Sequence, residues 1–328
     1  MYDIITIGSA TRDVFMRSTQ IKIMKDAASS TGQAECFALG SKIDIDEILF
    51  ETGGGATNTA VGFERQGFQT AIVGRIGHDD GRGREVLREL EKREVNISLV
   101  VKDKRHMTAY SVLLLTSRGE RTVLIYRGAS AQFKREEMPW RSMNAKWFYV
   151  TALGGNLALL REIFSFAKRK DIKIAWNPGA AELVTGYLKL KPLMALSSFV
   201  LLNREEATSL VNVDYDHARE AFTRLSHDVL GTLVITDGSR GAYAHVNGRS
   251  YHSGTRKIHV VDTTGAGDAF GCGFVGRFIR TKGNVKKALT FATLNSESVL
   301  EHVGAKAGLL RGSSGRHKIS VVELRTKA

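Results

Sequence analysis

The feature that most restricts the fold is a regular alternation of short apolar runs with amphipathic segments through the middle of the chain. AKWFYV is followed by NLALLREIFSFAKRK, then IKIAWN and FVLLN, then REEATSLV and HAREAFTRLS, and TLVITD closes the series. Apolar runs of this length read as strands buried on both faces, and a 3.6-residue apolar period reads as helix. Near the N-terminus, residues 2–8 are another buried strand, GGGATNTAVGFERQG opens a helix, and TAIVGRIG is a strand. REVLRELEKREV carries Val86, Leu87 and Leu90 on one side and charges on the other. Strands alternating with helices predict an α/β fold whose mostly parallel sheet is covered on both faces. Ligands of such sheets bind beyond the carboxyl ends of the strands.

Two stretches, roughly 9–50 and 97–130, break the alternation and are β-rich. MTAYSVLLLT and RTVLIY flank the turn SRGE as a hairpin, and together these stretches predict a small sheet over the site. Residues 17–45, with AASSTGQ at their centre, are a polar excursion from the core. GAYAHVNGRSYH is a second hairpin around the turn dipeptide Asn247-Gly248. Two helices, AGDAFGCGFVGRFIRTKG and VKKALTFATLNSESVLEHV, are read as closing the chain.

Composition removes several function classes. Of 328 residues, 43% are hydrophobic and 25% charged, as in ordinary globular proteins. The 33 glycines with only 3 prolines suit tight strand-to-helix turns. The two cysteines, Cys36 and Cys272, are far apart, so neither a disulfide framework nor a zinc site is indicated and a reducing cytoplasm is the default. Residues 1–8 make a poor signal peptide, and no apolar run approaches the ~18 residues of a membrane span. The net charge of +13 is scattered, without an aromatic-interleaved or zinc-finger motif, which disfavours nucleic acid as a partner. GxxxxGK[ST], an HRD…DFG set and a GxGxxG after the first strand are all missing, so P-loop, protein-kinase and dinucleotide-binding readings fail.

The chemistry concentrates in VVDTTGAGDAF at 260–270. A helix is predicted from about Ala266, burying Phe270, Phe274 and Phe278 on one face. Gly265, Ala266 and Gly267 leave backbone N–H groups open at its N-terminus, where unpaired donors and the helix dipole hold anions. Asp268 lies in the first turn. Taken alone it is either a dipole-favoured acid or a base within reach of a hydroxyl.

DTTGAGDAFGCGF resembles the C-terminal signature of the PfkB, or ribokinase-like, carbohydrate kinases, and GGGATNTAVGFERQGFQTAIVGRIGHD resembles the N-terminal signature of that family, in the family's order. The resemblance implies a three-layer ribokinase-like α/β fold with a mostly parallel central sheet between helices and a small β-sheet lid. One kinase domain would span 1–328, with the lid formed by about 9–50 and 97–130. It implies an ATP-dependent phosphotransferase acting on an alcohol group. Asp268 would be the catalytic base, with Gly265, Ala266 and Gly267 as its anion hole. Asp13 of GSATRD, with Gly53, Gly54 and Asn58, would bind the sugar. Locally, Asp13 reads equally as a cap and the glycine triplet as a flexible helix entry. Asn203 and Glu206 of NREE would organise phosphate and Mg²⁺, Glu206 through water, although NREE is also an ordinary helix cap. Thr236, Gly238 and Gly241 of TDGSRG would lie near the nucleotide, and Asn177 on its phosphate side.

ATP and Mg²⁺ are thus the implied cofactors, with K⁺ as an optional third. Members that bind a monovalent cation use positions matched here by Asp262, Thr264 and Gly304, while Gly308 stands where some offer a Ser hydroxyl. GHDDGRG carries one residue more than the family's G-x-D-x-x-G turn, near Asp79. Family members often pair through an exposed lid edge, which implies a homodimer through the lid. Ala109 stands where a phosphosugar kinase commonly has Arg, and Arg127 is the nearby cation that keeps an anionic acceptor open. The acceptor expected is a neutral sugar such as ribose or fructose. A nucleoside of the adenosine type is the next reading, and a non-catalytic sugar- or nucleotide-binding protein the third.

Overall fold

The computed structural model describes residues 1–27, 32–116, 121–312 and 319–324; the expected turn SRGE and the centre of AASSTGQ lie outside them. The chain opens with strands β1 (Tyr2–Ile7), β2 (Thr11–Arg17), β3 (Lys22–Lys25), β4 (Gln33–Cys36) and β5 (Glu47–Gly53). Helix α1 (Gly55–Arg65), strands β6 (Thr70–Val73) and β7 (Arg75–Gly77) and helix α2 (Gly81–Lys92) follow. Next come β8 (Val101–Asp103), β9 (Ala109–Leu115), β10 (Arg121–Tyr126) and β11 (Ala145–Val150). The alternating part holds α3 (Leu157–Arg169), β12 (Lys173–Trp176), α4 (Ala180–Leu183), α5 (Tyr187–Leu196), β13 (Phe199–Asn203), α6 (Arg204–Leu210), α7 (Ala218–Asp228) and β14 (Thr232–Thr236). The hairpin β15 (Ala242–Val246) and β16 (Arg249–Ser253), helices α8 (Ala266–Arg280) and α9 (Val285–Leu300) and strand β17 (Val321–Leu324) complete it.

Nine strands form the central sheet in the order β17-β16-β15-β14-β13-β12-β11-β1-β6. From β6 to β14 every pairing is parallel, and β14 to β17 run antiparallel. Successive side chains of a strand point to opposite faces, so β1 feeds two cores. Ile5 and Ile7 join Phe148, Val150 and the α3 residues Leu160, Ile163 and Phe164 on one face. Ile4 joins Ile72, Tyr149, Phe63 of α1 and Phe274 of α8 on the other. Phe274 is fully buried, stacked between Phe270 and Phe278 with Phe199 at its edge, as the four-residue phenylalanine spacing predicts. Helices α8 and α9 pack closely because a Cβ on Gly273 would come within 3.1 Å of the Ala292 Cα.

A separate four-stranded sheet, β10-β9-β2-β5, is built from the two off-pattern stretches, and the excursion between β2 and β5 carries the small β3-β4 pair. Ile48, Leu49 and Phe50 on β5 and Leu124 and Ile125 on β10 are exposed. Helices α4 and α5 stand between β12 and β13, where a direct strand-to-strand passage was read; Gly186 and the interior Pro192 obscure the helical pattern. Strand β17 extends the sheet beyond the two final helices, because pairing with β16 recruits a VVEL segment too short to signal itself. In GHDDGRG, Asp80 caps α2 through Gly83 N–H and accepts from Thr108 Oγ1 at 2.9 Å, while Asp79 pairs with His78 at the surface. Asn247 and Gly248 take φ of 49° and 74°, the positive values that a tight hairpin turn needs.

Phe274→Ala removes the centre of the α8 face and is expected to cost about 3–5 kcal/mol, measured by urea unfolding. A loss below about 1 kcal/mol would contradict this packing account.

Candidate active site

The carboxyl ends of three adjacent parallel strands meet the start of α8. Asn203 and Thr236 are the last residues of β13 and β14 and sit in register, and Asn177 follows β12. With Glu206, Gly265, Gly267 and Asp268 they line a cleft of about 210 Å³. Asn177 Nδ2 donates to the Leu201 carbonyl at 2.9 Å, tying two strand ends together.

Gly265 is the N-cap of α8 with φ 74°, and a Cβ there would lie 2.2 Å from the Ala305 Cβ. Only glycine satisfies both the left-handed backbone and that approach. The loop after α9 thereby presses on the turn that aims the first α8 amides into the cleft. Asp268 enters from the first turn of the helix. Its Oδ2 accepts a 2.8 Å hydrogen bond from Asn58 Nδ2, which joins the two glycine-rich signatures. Asn58 Oδ1 is buried without a partner among the described residues, so a hydroxyl donor is chemically wanted beside the carboxylate. Burial raises the Asp268 carboxyl above its ordinary value, against the Asn58 hydrogen bond and the positive charge of Lys306. Below it, Gly271 leaves room for the Tyr149 hydroxyl, which a Cβ would meet at 2.1 Å.

The small sheet brings Asp13 to this end of the molecule. Asp13 is buried, its Oδ1 accepts from Thr11 Oγ1 at 3.0 Å, and its register partner Ser111 donates to it as well. Gly53 makes this placement possible, because a Cβ there would sit 1.8 Å from Asp13 Oδ2. Gly54, at φ 97°, turns the chain into α1 against the Ser9 carbonyl. Burial raises the Asp13 carboxyl too, opposed by Ser111, Thr11 and Lys306. Lys306 was not singled out from sequence; a lysine inside the small-residue run GAKAG is the signal that was available. It is 2% exposed, donates to the Thr52 carbonyl and, at 2.8 Å, to Thr52 Oγ1, and lies 3.5 Å from Glu89. Glu51, likewise unread, packs on Gly304, and burial and the charge of Glu89 raise its carboxyl. Ala109 is buried and Arg127 is exposed at the end of β10.

On the other side, Asn203 and Glu206 form a reciprocal capping box at the start of α6, with Asn203 Oδ1 on Glu206 N–H and Glu206 Oε2 on Asn203 N–H, each at 2.8 Å. Burial, then the charges of Glu205 and Asp268, raise the Glu206 carboxyl. The cleft lining therefore holds two carboxylates and no cationic side chain, which fits a hydrated Mg²⁺ carried in with phosphate. No cluster of three or more His, Cys, Asp or Glu side chains placed to hold a metal ion exists among the described residues. Gly238 and Gly241, at φ 52° and 94°, shape the turn after Thr236 without lining the cleft. Asp262 Oδ1 accepts from Thr264 N–H and Oγ1, and its Oδ2 from Gly304 N–H at 2.9 Å. This carboxylate thus clamps the loop before α8 to the loop after α9. Gly308 admits no hydroxyl-bearing side chain, since a Cβ would meet the Ser298 carbonyl at 2.0 Å.

Two outcomes follow from this geometry. Gly265→Ala forces the anion-hole turn away from Ala305 and is expected to lower kcat by about 100-fold or more, on the scale of one lost oxyanion donor; turnover within a few-fold of wild type would contradict the role of the turn. Asp268 has a folded-state pKa above 3.8, so the folded protein holds that proton more tightly than the unfolded chain. Its contribution favours folding at low pH and is lost as pH rises from 3.8 through the raised folded value. Asp268→Asn is therefore expected to raise Tm relative to wild type at pH 7, with the difference shrinking at pH 4; a lower Tm at pH 7 would contradict the burial cost.

Residues 4–310 match the family model described as pfkB family carbohydrate kinase. The chain is 24% identical over 280 residues to the ribokinase of Staphylococcus aureus, covering 82% of this chain and 89% of the relative. It is 27% identical over 267 residues to an Arabidopsis thaliana protein named "Probable fructokinase-5", covering 75% and 81%. The crystal structure of adenosine kinase from Sinorhizobium meliloti shares the fold at a TM-score of 0.74 and 23% identity, over 94% of this chain and 97% of that one. A family match over nearly the whole length, on a ribokinase-like architecture with both signatures meeting at one cleft, establishes that the chain belongs to the pfkB family of carbohydrate kinases.

Proposed function

We propose that this kinase transfers the γ-phosphoryl group of ATP to a hydroxyl of a small neutral sugar of the ribose or fructose type. The observation that carries the reading is the Asn58–Asp268 hydrogen bond beside the unpartnered Asn58 Oδ1. It leaves one acceptor oxygen and one carboxylate where a substrate hydroxyl would bind. In this reading Asp13 and Asn58 hold sugar hydroxyls, and Asp268 takes the proton of the attacking one. The amides at Gly265, Ala266 and Gly267 hold the moving phosphoryl group, whose charge grows on its oxygens in the transition state. Asn203, Thr236 and Asn177 border the nucleotide, with Gly238 and Gly241 shaping its loop. Glu206 orients the water shell of Mg²⁺, which would supply charge neutralisation at the phosphate oxygens.

A neutral acceptor is favoured by charge. Asp13, Glu51 and Asp268 are carboxylates around the acceptor end; of the cations near them, Lys306 is engaged by Thr52 and Glu89 and Arg12 by Glu85, while Arg127 is exposed at the end of β10. A second phosphate on the acceptor would face repulsion there. K⁺ has a place in the same reading, because Asp262, Thr264 and Gly304 join the two loops that aim the anion hole.

The test is a substrate panel of ribose, fructose, adenosine, cytidine and fructose 6-phosphate with Mg-ATP, in K⁺ and in Na⁺, using wild type and Asp268→Asn. Ribose or fructose should give the highest kcat/KM, rising with pH through the raised carboxyl value of Asp268 and lost in Asp268→Asn. Preference for adenosine or cytidine would replace the sugar reading with a nucleoside kinase, and preference for fructose 6-phosphate would overturn the charge argument. Equal rates in K⁺ and Na⁺ would remove potassium from the reading. Near-normal turnover in Asp268→Asn would remove the base.

A further inference from the structure

Strands β13 and β14 end in register at Asn203 and Thr236, and both residues line the cleft. The next residue after each strand is charged, and the two meet: Arg204 Nη1 lies 3.4 Å and 3.3 Å from the carboxylate oxygens of Asp237. Arg204 opens α6, where the positive end of the helix dipole disfavours a cation. Its side chain is 10% exposed, so water offsets little of that cost. Protein contacts do so instead. Its Nε donates to the Tyr215 carbonyl at 2.9 Å, its guanidinium lies 4.2 Å from the centre of the Tyr215 ring, and its Nη2 is 3.4 Å from the exposed Asp216. A planar fork serves these partners at once, as an ammonium group does not.

Asp237 begins the turn of TDGSRG. It is buried, its N–H donates to the Gly241 carbonyl at 2.7 Å, and its carboxylate accepts from Arg240 Nε and Nη2, both at 2.9 Å. The outer side of the turn is anchored at β16 and just beyond it, where His252 Nε2 meets the Arg240 carbonyl at 2.8 Å and Thr255 Oγ1 donates to the Ser239 carbonyl at 2.7 Å. Arg240 therefore satisfies the carboxylate locally, at shorter distances than Arg204 does. What the second, buried guanidinium adds is a tie between the turn and the capping box of Asn203 and Glu206.

We propose that Arg204 is a positioning residue for the nucleotide: through Asp237 it holds the TDGSRG turn at a fixed separation from the Asn203–Glu206 capping box, so that the two edges of the donor site are set before ATP arrives. The inference rests on the reading of this end of the cleft as the nucleotide site. With the tie in place, a nucleotide enters a preformed gap. Without it, part of the binding free energy goes into ordering the turn, and the loss falls equally on the ground state and the transition state. The KM for ATP then rises while kcat does not change.

The probe is ADP, titrated calorimetrically against the intact protein, with steady-state constants measured on the acceptor found in the panel. Arg204→Gln should raise the ADP Kd and the ATP KM about tenfold and leave the acceptor KM and the kcat at saturating ATP within about twofold. Arg204→Lys should recover only part of the ADP affinity, because it restores the charge without the fork. Should Arg204→Gln fail to fold, the paired variant Arg204→Met with Asp237→Leu removes both buried charges together, a change that buried ion pairs tolerate. It should keep the Tm of wild type within a few degrees and still bind ADP about tenfold more weakly. Wild-type ADP affinity in either variant, or an acceptor KM that rises as much as the ATP KM, overturns the positioning role. Asn203→Ala separates that failure from failure of the nucleotide reading. If it weakens ADP and the Arg204 variants do not, the nucleotide reading stands and the role of Arg204 falls. If it too leaves ADP affinity unchanged, the nucleotide reading falls and takes this proposal with it.

Discussion

One buried hydrogen bond, from Asn58 on α1 to Asp268 on α8, ties the two glycine-rich segments together at the candidate cleft. The two residues are 210 positions apart, and neither is positioned by its own helix alone. Asn58 is brought in by α1, which packs on β1 and α8, and Asp268 by the left-handed turn at Gly265. The bond orients the carboxylate and, with the charge of Lys306, opposes the burial that raises its pKa. A carboxylate with raised proton affinity and held geometry would suit the proton abstraction proposed for Asp268 better than an ordinary surface acid. The same burial works against folding at neutral pH, a common conflict between site chemistry and stability.

The glycines of the two signatures act through what they leave out. At Gly53 the missing side chain makes room for the Asp13 carboxylate, and at Gly265 it makes room for Ala305. The loop after α9 therefore has two jobs. Ala305 presses on the turn before α8, and Lys306 reaches Thr52 on β5 of the four-stranded sheet. Through Asp262 this loop is also clamped to the segment before α8. The four-stranded sheet and the turn before α8 are thus joined through this loop.

Much of this was legible from residues alone, for identifiable reasons. The parallel strands carry apolar runs because both faces are covered, Ile, Val and Leu in β1, β13 and β14 and aromatic residues in β11, and those runs mark them. The phenylalanines at 270, 274 and 278 announced the buried face of α8. Helix α5 was hidden because a proline and an apolar run without clear period mask its pattern, and β17 because its pairing with β16 exists only in the folded sheet. Asn203 and Glu206 show why local pattern has limits. They form the capping box that their spacing suggests and also border the cleft, so one short motif starts a helix and lines the cleft at once.

The sequence by itself determined the fold class, the position of the two signatures and the residue types that can hold a phosphate and take a proton, because those depend on local period and local chemistry. Tertiary structure alone decided that Asp13, Glu51, Ser111 and Lys306 gather at the acceptor end and that Arg204 reaches Asp237. These residues come from distant strands, helix ends and a late loop. Their proximity is set by sheet register and helix packing, and the charge balance they create has no trace in the order of residues along the chain.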